Sequence, residues 1–262
     1  MIGSIFYHGQ QIVLDEDTGK VNREGAERLI ALQEEFSDKT GTPCMLDVVG
    51  ASEEAMKRLI DLVADTTETP ILIDSPSAEV RIAGTRYAKE VGLEGRVVYN
   101  SLVPGSKPEE FQALKESCVE SSVVLTFRTA LMTSEGRAKL VEELLPRTEQ
   151  AGISKLLIDT CVIDVPSLSV ACRAMLDLKR RLGIPCGCGA HNAISTWAGF
   201  RERMGPEAVK PCTAGVNVAP VVLGADFVLY GPIEDCRYVF PAVAAINASY
   251  RYLYKMREQL EL

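Results

Sequence analysis

Ile71-Leu72-Ile73-Asp74-Ser75 is a short apolar run that ends in an acid and a hydroxyl. The same form recurs at Met45-Leu46-Asp47, Val97-Val98-Tyr99-Asn100-Ser101, Leu156-Leu157-Ile158-Asp159-Thr160 and Cys188-Gly189-Ala190-His191-Asn192, with helix-like stretches between the runs. The runs are brief, rich in Val, Ile or Leu and without clean alternation, as expected of strands covered on both faces. Polar groups far apart in sequence can then gather at one rim of a parallel barrel, the end where such folds keep their chemistry.

Working outward from these runs gives eight strand candidates, at 2–7, 44–49, 71–74, 96–100, 122–127, 155–159, 185–190 and 226–230. Amphipathic stretches at 23–40, 53–64, 78–91, 109–116, 134–151 and 167–182 lie between them, so strand and helix alternate throughout. Gly41-Thr42-Pro43, Gly92-Leu93-Glu94-Gly95, Ala151-Gly152 and Leu182-Gly183-Ile184-Pro185 fall where helices should stop. No linker or shift in composition divides the chain. The expectation is an α/β fold, a single (β/α)8 TIM barrel over residues 1–262, with a doubly wound open sheet as the runner-up. Gly199, Gly205-Pro206, Pro211 and Gly215 break 192–223 into what reads as a long loop with short helices.

Composition sets the remaining limits. A chain of 262 residues that is 47% hydrophobic can bury a large core. Its formal charge of −8, with no long basic run, argues against nucleic acid or an anionic membrane as partner. The N-terminus lacks the basic start and cleavage site of a signal peptide, and no run approaches the roughly 20 apolar residues of a membrane span. A cytoplasmic protein is expected. The eight cysteines read as reduced thiols, most of them within strand or helix segments. Cys186, Cys188 and His191 come nearest to a metal motif, but no second Cys-x-x-Cys pair supports it and no metal is expected.

Asp, Ser and Asn after a strand are often only caps of the next helix, worth about 1 kcal/mol each. That account suffices for Ser75, Ser77 and Ser101. It is weaker for Asp74 and Asp159, which end their apolar runs before the first helical turn. A partly desolvated carboxylate there costs several kcal/mol unless a cation or N–H donors meet it. With Asp47, these acids suggest a ligand rich in donors, either a hard metal ion or a flat heterocycle. Asn100, Asn192 and Thr160 suit the heterocycle, because a carboxylate accepts two parallel bonds from an amino-amidine edge and an amide both donates and accepts. A pterin offers such an edge.

The chain resembles the H subunit of tetrahydromethanopterin S-methyltransferase and the free-standing bacterial methylcorrinoid:tetrahydrofolate methyltransferases. The resemblance is carried by Leu72-Ile73-Asp74-Ser75, Arg81-Ile82-Ala83-Gly84 through Glu90-Val91-Gly92-Leu93, Tyr99-Asn100-Ser101, Gly189-Ala190-His191-Asn192 and the block from Ala225-Asp226-Phe227 to Pro232-Ile233-Glu234. It implies that Asp47, Asp74, Asn100 and Asp159, with Ser101 and Gly189, hold a pterin, and that Asn192 lies near its N5. It also implies tetrahydrofolate as substrate, a corrinoid (cobalamin) carried by a partner corrinoid protein, and a homodimer. Arg81 and Arg128 are candidates for the anionic tail of a folate or the phosphate of a corrinoid. Phe127-Arg128 departs from remote relatives that have an Asn there, which leaves the fifth strand's role open.

The implied chemistry is consistent with the residue types. A neutral amine leaves poorly, so a proton must develop on N5 as its methyl group departs, and the protein must favour that charge in the transition state. The amide oxygen of Asn192 can accept a hydrogen bond from N5–H⁺. His191 is next in sequence and titrates near neutrality, yet a continued strand would point it away from Asn192. His8 follows the first strand, where it reads as a solvated loop residue. No Asp-x-His-x-x-Gly loop is present to hold a corrinoid in this chain, and Gly187-Cys188-Gly189 lacks the third glycine of a dinucleotide fingerprint. A dihydropteroate synthase-like condensing enzyme would need a phosphate-binding set of Lys, Arg and Ser that the strand ends do not offer. A non-catalytic protein that binds a pterin or a corrinoid protein is the other alternative.

Overall fold

A computed structural model describes residues 1–127 and 133–257. Strand β1 (Ile2–Ile5) is followed by a small hairpin of β2 (Val13–Asp15) and β3 (Lys20–Val21). Then come α1 (Arg23–Thr40), β4 (Met45–Val49), α2 (Glu53–Thr66), β5 (Ile71–Asp74), α3 (Ala78–Glu90), β6 (Val97–Leu102), α4 (Pro108–Glu116) and β7 (Ser121–Leu125). The second half contains α5 (Ser134–Gln150), β8 (Lys155–Asp159), α6 (Val165–Leu182), β9 (Cys186–Cys188), α7 (Asn192–Ser195), α8 (Phe200–Met204), α9 (Val209–Val222), β10 (Phe227–Pro232) and α10 (Cys236–Lys255).

The sheet closes in the order β1, β4, β5, β6, β7, β8, β9, β10 and back to β1, with every neighbouring pair parallel. The expected (β/α)8 barrel is therefore the fold. Asn22, Ser52, Ser77, Thr133 and Asp164 cap helices by accepting backbone N–H groups, and Gly41 and Gly183 end α1 and α6 in the left-handed region.

Side chains alternate across each strand, and here the two faces have separate roles. Ile71 and Ile73 of β5 pack outward with Met56 and Ile60 of α2. Leu72 packs inward with Ile2, Val98, Val123 and Phe227 as an apolar layer, which Leu229, two residues beyond Phe227 on β10, extends upward. Both faces are apolar at this level, which is why the sequence shows no alternation.

Two elements depart from expectation. The β2–β3 hairpin adds a pair of strands outside the eight, and 209–222 forms one continuous helix despite Pro211 and Gly215. Pro211 is in the first turn of α9, where its missing N–H would have had no helical partner. Among the described residues no helix is long and apolar enough to cross a membrane.

Candidate active site at the barrel mouth

One inward position above the apolar layer, the residues change character. Two residues beyond Ile2, Met45, Leu72, Val98 and Leu157 stand Ser4, Asp47, Asp74, Asn100 and Asp159. Strand register aligns Ser4 with Asp47 and Asp74 with Asn100. The barrel thus presents an apolar floor and, directly above it, a ring of carboxylates, an amide and a hydroxyl.

Asp47 is 3% exposed and satisfied on both oxygens. Ser4 Oγ donates to Oδ2 at 2.7 Å and Asn100 Nδ2 donates to Oδ1 at 3.0 Å. Burial still pushes its carboxyl above the usual range, with the two hydrogen bonds acting the other way. Asp74 is half-buried at the end of β5. Its carboxyl is pushed well up by desolvation and then by the charge of Asp47, with Arg81 opposing both.

Asp159 belongs to β8, across the closed sheet from β4. The backbone N–H of Cys161 donates to its Oδ1 at 2.7 Å, and the backbone of Gly189 also hydrogen-bonds to it. Burial raises its pKa to about 6, against the effect of these donors and of Arg137. Arg137, on α5, is fully buried and donates from Nη1 to the Cys161 carbonyl at 2.9 Å. Sequence reasoning missed Arg137 because an arginine in the first turn of a helix carries no motif. Its only signal was a charge on the apolar face of its helix.

Strand β9 stops at Cys188, and Gly189-Ala190-His191 turn into the short helix α7, which begins with Asn192. Asn192 Nδ2 donates to the Val162 carbonyl at 2.9 Å, and its Oδ1 has no hydrogen-bond partner among the described residues. His191 precedes it in a helical turn and not in a continued strand, so the strand alternation expected to separate the two is absent. The His191 Nδ1 faces the Leu229 carbonyl at 3.0 Å. A carbonyl can only accept, so Nδ1 carries the proton and Nε2 is the acceptor of a neutral ring. Burial lowers its pKa. Gly231 makes room for this ring, because a Cβ there would lie 2.7 Å from it and the backbone φ is +89°.

The other candidates are placed as follows. Ser101 follows Asn100 through a cis peptide bond in β6. Arg81 is not held out for an anionic tail. Its guanidinium pairs with Glu110 at 2.8 Å, donates to the Ser75 carbonyl and lies over the Tyr99 ring. That correction follows from desolvation, since a cation 11% exposed requires internal partners. Arg128 lies outside the described residues. His8 is solvent-exposed and paired with Glu16 at 2.7 Å. The sulfur of Cys186 meets the Ile184 carbonyl, while Cys188 packs with Val162 and Ala171 of the outer layer, so neither converges with His191. Among the described residues no group of three His, Cys, Asp or Glu could hold a metal ion.

Fold and site together define a TIM-barrel protein whose polar groups are concentrated at the C-terminal mouth, above an apolar floor. The chain belongs to the tetrahydromethanopterin S-methyltransferase MtrH subunit family, whose model matches residues 1–261. It is 40% identical to the H subunit of tetrahydromethanopterin S-methyltransferase from Methanopyrus kandleri, over 95% of this chain and 84% of that protein. It is 36% identical to the H subunit of a putative mtx methyltransferase from Methanosarcina acetivorans, over 93% and 82%. Among solved structures, dihydropteroate synthase of Yersinia pestis in a sulfonamide complex superposes with a TM-score of 0.68 at 13% identity, over 96% of this chain and 93% of that one. Dihydropteroate synthase of Coxiella burnetii with pteroic acid gives 0.68 at 15%, over 95% and 92%. At these identities the superpositions speak for the barrel alone.

Proposed function

We propose that the chain moves a methyl group between a corrinoid carried by a partner protein and N5 of tetrahydrofolate, with tetrahydromethanopterin as the alternative pterin. The observation that carries this reading is the ring of Asp47, Asp74, Asn100 and Asp159 above a floor that includes Leu72, Val98 and Leu157. An apolar base suits one face of a flat heterocycle, and acceptors around it suit an edge of N–H donors. Membership of a methyltransferase family supports the reaction class.

The three acids fit such a ligand in protonation as well as in position. Without a ligand, burial raises the pKa of each of them. An amino-amidine edge gives a carboxylate two donors and favours its ionised form, so binding releases protons to solvent. Asn192 serves the reacting atom. Its Nδ2 is tied to Val162, so the carboxamide oxygen is the group that accepts from N5–H⁺ as the N5–methyl bond breaks and its electron pair stays on nitrogen. An amide stabilises that proton without storing it, which places the stabilisation in the transition state.

When bound, the corrinoid supplies the cobalt centre that gives or accepts the methyl group. This chain has no Asp-x-His-x-x-Gly loop to hold one. Phe127, Ile163 and Val165 are exposed beyond β7 and β8 at the same rim, and they offer apolar contact to a docked carrier.

The decisive assay mixes the protein anaerobically with methylcobalamin and each reduced pterin and follows cob(I)alamin by absorbance. Formation with one pterin is expected. Tight pterin binding without turnover would favour a non-catalytic binding role, and no binding of either pterin defeats the reading.

A further inference from the structure

We propose that the cavity beside Asn192 is a subsite for the substituent on C6 of the pterin, and that it receives an aryl ring there. The proposal rests on the pterin reading above. In a reduced pterin C6 is bonded directly to N5, so the residue that serves N5 lies next to the origin of any C6 tail. His191 precedes Asn192, Ile194 and Ser195 follow it on α7, and all three line a cavity of about 380 Å³. That volume falls within the roughly 300–1,000 Å³ range of small-molecule sites.

The walls suit a ring more than a bare anion. Trp197 and Phe200 line the cavity with ring centroids 5.1 Å apart and planes tilted by 56°. Phe200 is 6% exposed and anchored in the core, while Trp197 is only half-buried. A tilted pair of this kind offers a face and an edge to a third ring. The charges around it balance, with Arg201 and Lys210 against Glu202 and Asp235, and Lys210 already pairs with the buried Asp235. His191 adds an acceptor, because its Nδ1 proton is directed to Leu229 and leaves Nε2 able to receive an arylamine N–H. The ligand class that fits is a reduced pterin with an arylamine on its C6 side chain, as in folates.

The test compares tetrahydrofolate with 6-methyltetrahydropterin, which has the ring system but no aryl tail. Equilibrium binding is measured for the wild type, Trp197→Ala and Trp197→Phe. The wild type is expected to prefer tetrahydrofolate by about 10-fold or more, the scale of burying an aromatic ring. Trp197→Ala should lose most of that preference with the tail-less affinity held within about twofold, and Trp197→Phe should regain most of it. Trp197 is the single tryptophan of the chain, so unaltered protein supplies a second measurement. Tetrahydrofolate should shield it from acrylamide quenching and 6-methyltetrahydropterin should not. Equal affinities in the wild type, or a full preference surviving in Trp197→Ala, overturns the subsite while the pterin reading stands. If the alanine variant does not fold, the quenching comparison decides: equal quenching with both ligands bound overturns the subsite. Failure of 6-methyltetrahydropterin and tetrahydrofolate alike to bind overturns both readings.

Discussion

At the scale of single residues, Asp159 couples stability to binding. Its carboxyl titrates at about 6 in the folded chain and near 3.9 when unfolded. A raised folded pKa means that the associated stability is complete below pH 4 and is lost as pH rises from about 4 to about 6. Two pKa units correspond to roughly 3 kcal/mol at neutral pH, an upper value for one group. Asp159→Asn should therefore unfold at higher temperature than the wild type at pH 7.5, and the difference should shrink toward pH 4. Calorimetry at the two pH values checks it. For pterin binding the sign reverses, because a donor-rich edge needs the ionised acid, so wild-type affinity should weaken by up to about tenfold per pH unit below 6 and Asp159→Asn should bind weakly throughout. Asn192 separates chemistry from affinity in the same way. Asn192→Ala should slow methyl transfer by about 100-fold, the scale of one lost transition-state hydrogen bond, with pterin Kd little changed. An equal loss in both would assign Asn192 to binding.

Elements are held around this site by buried polar contacts as well as by packing. Arg81 on α3, Glu110 on α4 and Tyr99 on β6 form one cluster: Glu110 accepts from Arg81 at 2.8 Å and from the Tyr99 hydroxyl at 2.5 Å. Glu110→Ala would leave Arg81 buried without its counter-charge, and it should destabilise the chain by about 3–5 kcal/mol in urea unfolding. Glu110→Gln, which keeps an acceptor, should cost less. This cluster also marks where sequence reading stops. The strands at 71–74 and 155–159 were legible to the residue, since a buried parallel strand needs a continuous apolar run bounded by polar groups. The β2–β3 hairpin was not, because strands of three and two residues carry no periodic signal. Helix α9 was hidden by Pro211 and Gly215, whose cost depends on position within the helix and on packing. Asp47, Asp74, Asn100 and Asp159 could be read as strand-end residues, but Ser4 and Arg137 could not. Ser4 lies 43 residues from Asp47, and Arg137 lies 24 from Cys161; only the pairing of β1 with β4, and the packing of α5 beside the end of β8, brings these pairs together.

Across the whole molecule, closure stacks two inward layers with different work. The lower one, with Ile2, Leu72, Val98, Val123 and Phe227, is apolar and joins strands from all round the barrel. The upper one holds buried or half-buried acids whose ionised forms the barrel disfavours. Stability should therefore reside below and ligand recognition above, only two residues apart on a single strand. Leu72 is fully buried, so Leu72→Ala should cost about 2–5 kcal/mol by leaving a cavity that the surrounding strands cannot close. Pterin affinity per folded molecule should change little, since the ring above keeps its strand positions. Asp74→Ala should do the reverse. Removing an acid raised by burial and by Asp47 relieves the ligand-free protein at neutral pH, while loss of a charged hydrogen bond should weaken pterin binding by roughly 2–4 kcal/mol. Thermal unfolding with and without tetrahydrofolate separates the two. The ligand-induced rise in Tm should persist in Leu72→Ala from a lower baseline and nearly vanish in Asp74→Ala from a baseline at or above the wild type. A Leu72→Ala protein that folds but binds no pterin would show that the floor itself forms the recognition surface, and the separation of layers would fail.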